Sequence, residues 1–179
     1  MRKQTKTTGR VLEEAEQVSL FAWADMMSSQ KPALGMLVHV PNEGKRTAAA
    51  GGRLKAAGLR RGFPDLVLPM AADVEYGGTD WHANGLYIEL KRPGGTVSHA
   101  QKWWLHNLNE QGNLALVCYG FEEAVEVLCR YLQMEKPVMG KGDYRRFEKI
   151  LADTGEMLQE WADKNGVMTG QLAPVRILS

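Results

Sequence analysis

Apolar and polar positions alternate with period two in LYIELK, so that Leu86, Ile88 and Leu90 fall on one side of a strand and Tyr87, Glu89 and Lys91 on the other. Three other apolar runs predict further strands: MLVHV, stopped by Pro41, DLVLP, opened by Asp65, and LALVCY, opened by Leu114. Elsewhere the spacing is helical. In VLEEAEQVSLFAWADMM the positions Leu12, Trp23 and Met26 share a face, with Ala15, Val18 and Ala22 beside it, and Glu16 falls on the side of Leu12 and Trp23. Ser98 followed by Gln101 matches a capping box and predicts a helix through WWLHNL that Gly112 closes. FEEAVEVLCRYL predicts another helix. A last one, from about Asp143 to Lys164, carries the stripe Phe147, Ile150, Leu151, Leu158 and Trp161. MAADVEYGGTDWHAN reads as a long loop between the strands of Asp65 and Glu89, which it joins as an antiparallel pair. The closing VMTGQLAPVRILS supports no element, and no internal repeat is visible.

The order α, β, β, β, α, β with helices appended is an α/β fold, and the WWLHNL helix then crosses the sheet between its third and fourth strands as a right-handed connection. A chain of 179 residues fills one core and is short for two. A formal net charge of +1 excludes a globally basic nucleic-acid coat, so an anionic partner has to be met by a local patch. The two cysteines, Cys118 and Cys129, lie in a strand and a helix without metal-ligand spacing, which predicts reduced core thiols and no structural zinc. MRKQTKTTGR is basic, reads as a mobile start over residues 1–10, and has no apolar signal region. With no apolar run of spanning length, the expectation is a cytoplasmic protein without a membrane partner.

The chemistry concentrates on two strands. Asp65 and Glu89 offer hard oxygen ligands from neighbouring strands, and with a backbone carbonyl such as that of Leu90 they suit Mg²⁺ or Mn²⁺ and a phosphate ester. Lys91, on the face of Glu89, can orient or deprotonate an attacking water and offset charge developing on phosphorus. The competing reading of Glu89 and Lys91 is a solvated strand face.

Asp65 with the triplet Glu89, Leu90, Lys91 matches the PD-(D/E)XK pattern of restriction-endonuclease-like nucleases. The wider set HVPNEGKR, GFPDLVL, LYIELK and SHAQ resembles the VRR-NUC family within it, from about Glu16 to about Leu132. Small stand-alone members of that family occur in phages and bacteria, and its domain ends the Fanconi-associated nuclease. The resemblance implies a restriction-endonuclease-like core with a mixed sheet flanked by helices. It implies a nuclease domain, bounded here at residues 11–135; beyond Leu132 the resemblance says nothing, and residues 136–179 stand as an appended helical segment of unassigned role. It also implies metal ligation by Asp65 and Glu89, a catalytic Lys91, a supporting acid at Glu16 and a site glutamine at Gln101. Glu16 can equally be an ordinary exposed helix acid, and Gln101 the capping partner of Ser98. The expected activity is a Mg²⁺-dependent DNA endonuclease with no nucleotide cofactor. Small members resemble Holliday-junction resolvases, and paired nicks in opposed strands are supplied naturally by a two-fold homodimer. Trp103, Trp104 and the Phe147 to Trp161 stripe are the apolar surface available to such a partner. A flap or end nuclease, or a non-catalytic DNA-binding module, are the alternatives.

Between Lys45 and Arg61, KRTAAAGGRLKAAGLRR holds Lys45, Arg46, Arg53, Lys55, Arg60 and Arg61 and no acid. Leading straight to Asp65, it is the expected track for a phosphate backbone, against the reading of a solvated helix face. Gly51 and Gly52 weaken any helix there by roughly 1 kcal/mol each. Asn42 and Glu43, in PNEG, either reach the site from the end of the first strand or form a Pro-Asn turn. The four histidines show no metal spacing.

Overall fold

The computed structural model describes residues 2–41, 47–137 and 144–167, with side chains from residue 14 of the first helix onward. Asn42, Glu43, Lys45 and Arg46 lie outside the described residues, as does the segment after Val167. The first helix, α1, spans Arg2–Met27 and so takes in the polar start. A 3-10 turn over Pro32–Met36 leads to β1 (Val38–His39), followed by α2 (Ala48–Ala56), β2 (Leu66–Leu68), β3 (Ala72–Tyr76), β4 (Thr79–Ala83) and β5 (Leu86–Lys91). Then come α3 (His99–Glu110), β6 (Leu114–Tyr119), α4 (Phe121–Tyr131) and α5 (Phe147–Asn165). The main sheet has the order β1-β2-β5-β6. Its first two pairings are antiparallel, and β5 and β6 are parallel across α3, so the sheet is mixed and the α/β reading holds.

Two local predictions need correction, and the basic segment takes one of its open forms. The long loop between β2 and β5 is a hairpin: β3 and β4 pair from Ala72↔Ala83 to Tyr76↔Thr79 around Gly77 and Gly78, whose φ values of 58° and 78° fit the twist of a two-residue turn. The alternation that buries Val74 and Tyr76 was present in the sequence. The segment with Gly51 and Gly52 does form a helix, because Thr47 Oγ1 accepts the Ala50 N–H and three alanines open it. On α1 the inward face is Leu20, Trp23 and Ala24, whereas Val18 and Met26 are 65% and 66% exposed, so the predicted stripe was rotated about the helix. Glu16 nonetheless shares the inward face, one turn before Leu20 and two before Trp23.

The apolar stripe of α5 packs on β6 and on α3 and α4. Phe147, Ile150, Leu151, Leu158 and Trp161 are all buried within the chain, so the surface expected for a second subunit is interior, with Trp103 left outside. Strand β6 is the edge of the sheet, yet its outward backbone groups are filled by side chains. Asn109 accepts the N–H and donates to the carbonyl of Ala115. Val117 N–H donates to Thr154 Oγ1 on α5, and its carbonyl accepts from Arg145. Tyr119 N–H donates to Glu123 Oε2 on α4 at 2.7 Å. Arg145 grips both oxygens of the buried Glu123, reaches Asp153 and lies over the Tyr119 ring. A part-buried guanidinium shared by two carboxylates gives the buried Glu123 the partner that the desolvation rule demands of a buried acid.

Candidate active site

The register of β2 against β5 pairs Leu66 with Ile88, and one residue further it sets Asp65 opposite Glu89. Asp65 is fixed by its own strand neighbours: its carbonyl accepts from Val40 N–H at 2.8 Å, and its Oδ2 accepts from Leu90 N–H at 3.1 Å. The approach to Asp65 is set by Gly62, Phe63 and Pro64. Pro64 disfavours a helical conformation at Phe63. Gly62, at φ +81°, lies so close to the first turn of α3 that an added Cβ would meet the backbone carbon of Ala100 at 2.8 Å and the Gln101 nitrogen at 2.9 Å. This glycine was not singled out in the sequence, although GFPD carries the signal of a turn before a proline. Gly62→Ala combines left-handed strain of about 1–2 kcal/mol with the clash. It is expected to lower Tm by roughly 4–8 °C and to depress cleavage by shifting Asp65; a thermal melt beside a cleavage assay checks both.

Gln101 does both things its two readings allow. Its Oε1 accepts the Ser98 N–H at 2.8 Å while Ser98 Oγ accepts the Gln101 N–H, which completes the capping box of α3. Its Nε2 donates to Glu89 Oε1. Lys91 Nζ forms an ion pair with the same oxygen. Glu89 is 0% and Lys91 7% exposed, which removes the solvated-face reading of this strand. Burial, then the charge of Asp65, pushes the Glu89 carboxyl up to about 8 against the pull of Lys91. The two carboxyl groups are within hydrogen-bonding reach of each other, and Glu89 Oε2 accepts no hydrogen bond.

A buried acid, Glu89, beside the half-buried Asp65 needs a proton or a cation between them. An orphaned carboxylate oxygen, an aspartate and nearby backbone carbonyls are all hard donors, so the residues present fit a divalent ion of the Mg²⁺ class. Among the described residues no group of three or more acidic, histidine or cysteine side chains gathers to hold a metal. Glu16 illustrates this: its Oε2 accepts from Phe121 N–H at 2.7 Å, at the start of α4. The preceding Gly120 N–H donates to the Lys91 carbonyl at 2.8 Å. Glu16 thus braces the end of β5 through the α4 terminus. Arg53, Lys55, Arg60 and Arg61 are all exposed, on α2 and the loop after it, and lead through Gly62 into the pair.

A family model described as the VRR-NUC domain matches residues 10–122, which hold Glu16, Asp65, Glu89, Lys91 and Gln101. The chain belongs to the VRR-NUC family. A solved structure described as a VRR_NUC domain protein is similar in fold: TM-score 0.55 and 23% identity over 70% of this chain and 91% of that one. No curated protein matches the chain. VRR-NUC domains are nucleases within the PD-(D/E)XK superfamily, so this VRR-NUC chain is an enzyme, a hydrolase of phosphodiester bonds with a nucleic-acid substrate. Nucleases of this kind generally use a divalent metal. No described helix is long and apolar enough to cross a membrane.

Proposed function

We propose that this VRR-NUC protein is a Mg²⁺- or Mn²⁺-dependent DNA endonuclease selective for branched DNA. The carrying observation is the buried Glu89 beside the half-buried Asp65, with one Glu89 oxygen unsatisfied and an ammonium and an amide holding the other. Asp65, Glu89 and the Leu90 carbonyl would hold the cation, whose chemistry is to neutralise a phosphate oxygen and to make water a better nucleophile at neutral pH. Gln101 fixes the Glu89 rotamer from a capped helix, so the carboxylate need not reorganise on binding. Lys91 lies on the reacting face, where it can turn from Glu89 toward a phosphate as negative charge grows. Asn42 is proposed to reach the substrate from beyond β1, and Lys45 and Arg46 to extend the basic track. Gly51 and Gly52 support the track from a second side: nothing lies within 4 Å of a Cβ built at either, so a backbone can approach α2 closely there.

The test is a panel of duplex, single-stranded, flap, forked and four-way-junction DNAs with and without Mg²⁺. Cleavage that requires the metal and favours branched forms is expected; no hydrolysis of any DNA with Mg²⁺ or Mn²⁺ removes the reading. Symmetric nicks confined to the junction would instead indicate a two-fold dimer. On the same DNAs, changing Arg53, Lys55, Arg60 and Arg61 together to Gln should leave the fold intact. It should reduce the slope of log K against log salt by about 2 to 4, since each duplex phosphate contact contributes roughly 0.9. An unchanged slope would mark α2 as a merely solvated face.

A further inference from the structure

We propose that Trp103 is a stacking platform for an unpaired nucleobase, and so a determinant of which DNA structure the enzyme selects; this rests on the DNA nuclease reading above. Trp103 is 46% exposed, and among the described Phe, Trp and Tyr residues it alone is exposed. It is not a loose side chain. Its ring meets Trp104 edge-on at 5.0 Å, Trp104 meets Phe63 at 4.9 Å, and Phe63 meets Tyr87 at 6.0 Å, each pair close to perpendicular. This chain of rings runs from the strand face of Glu89, two residues beyond Tyr87, out to the surface.

The surroundings are cationic. Ala100 and Trp103 are neighbours on one face of α3 at i, i+3. Gly62 presses on Ala100, which brings the end of the Arg60 and Arg61 loop to that same face. No acid occurs from Thr47 to Pro64. A rigid, half-open indole on the helix face approached by the loop that carries the exposed Arg60 and Arg61 is suited to an aromatic ring tethered to phosphate. Bases inside a duplex already stack on their neighbours and present only their edges. A base beside a fork, flap or junction offers a free face, and only there can Trp103 contribute. A protein partner would call for a broader apolar surface than one exposed ring beside a basic loop.

The experiment uses full-length protein carrying Glu89→Gln, so that DNA is bound without being cut. Kd is measured at fixed salt for a forked DNA and a perfect duplex of equal length, with 2-aminopurine at the first unpaired position as a stacking reporter. Trp103→Ala should weaken fork binding on the order of tenfold, change duplex binding less than about twofold and abolish the 2-aminopurine quench. Trp103→Phe should retain most of both signals. Equal losses on fork and duplex, or no loss on the fork, overturn the stacking role while leaving the nuclease reading standing. A parent protein that binds neither DNA overturns both.

Discussion

Glu89→Gln is expected to lower cleavage by on the order of 10³-fold or more while the protein still folds and binds DNA. The amide keeps an oxygen for Gln101 and Lys91 and can donate its N–H to Asp65, so the local geometry survives. What disappears is the charge that would hold a cation. The same variant changes how stability depends on pH, and the sign follows from the direction of the shift. The Glu89 carboxyl sits at about 8 in the folded chain against an ordinary 4.5, so the folded state holds a proton that the unfolded state has released. Its contribution is therefore complete below pH 4.5 and is lost as pH rises towards 8, a penalty on the order of a few kcal/mol. In Glu89→Gln that slope should flatten. Mg²⁺ should raise Tm of the parent protein near pH 8 and leave Glu89→Gln unmoved. Melts at several pH values with and without Mg²⁺ read this independently of activity. A variant that cuts at the parent rate would exclude Glu89 from the chemistry.

Ending the chain at Pro137 should abolish folding, although the residues removed lie wholly outside the family match at 10–122. Phe147, Ile150, Leu151 and Leu158 are each at most 4% exposed, and burying such side chains contributes about 1.5–3 kcal/mol apiece. That sum reaches the whole net stability of an ordinary domain, about 5–15 kcal/mol. The truncation also strips Thr154 and Arg145 from Val117 and leaves Glu123 a buried acid without its guanidinium. Circular dichroism and dye binding should report a collapsed, non-cooperative state. A truncated protein with a sharp melt near that of the full chain would show α5 to be dispensable.

How much of this the sequence disclosed depended on the kind of interaction. Asp65, Glu89, Lys91 and Gln101 were legible because strand alternation and a capping motif are local rules, and the strand register then brought the first three to Gln101. The β3–β4 hairpin was equally local and was passed over only because Gly77 and Gly78 were read as loop. The α1 face was misread for another reason: alanines and valines are spread around that helix, and only tertiary packing chooses among them. Contacts of long sequence separation left no mark at all. Nothing local couples Glu16 to Phe121, Arg145 to Glu123, or Gly62 to Ala100.

The side chains that occupy the β6 edge are arranged in time as well as in space. Asn109 is synthesised before the strand it fills, whereas Glu123, Arg145 and Thr154 follow it. A chain emerging from a ribosome at about 5–20 residues per second therefore presents Val117 with an open backbone N–H for roughly 2–7 s before Thr154 appears, whereas Glu123 reaches Tyr119 almost at once. During that interval β6 is an unpaired hydrophobic strand able to pair with another nascent chain. Slow synthesis across residues 120–154 should then lower soluble yield, even though the finished protein presents no such edge.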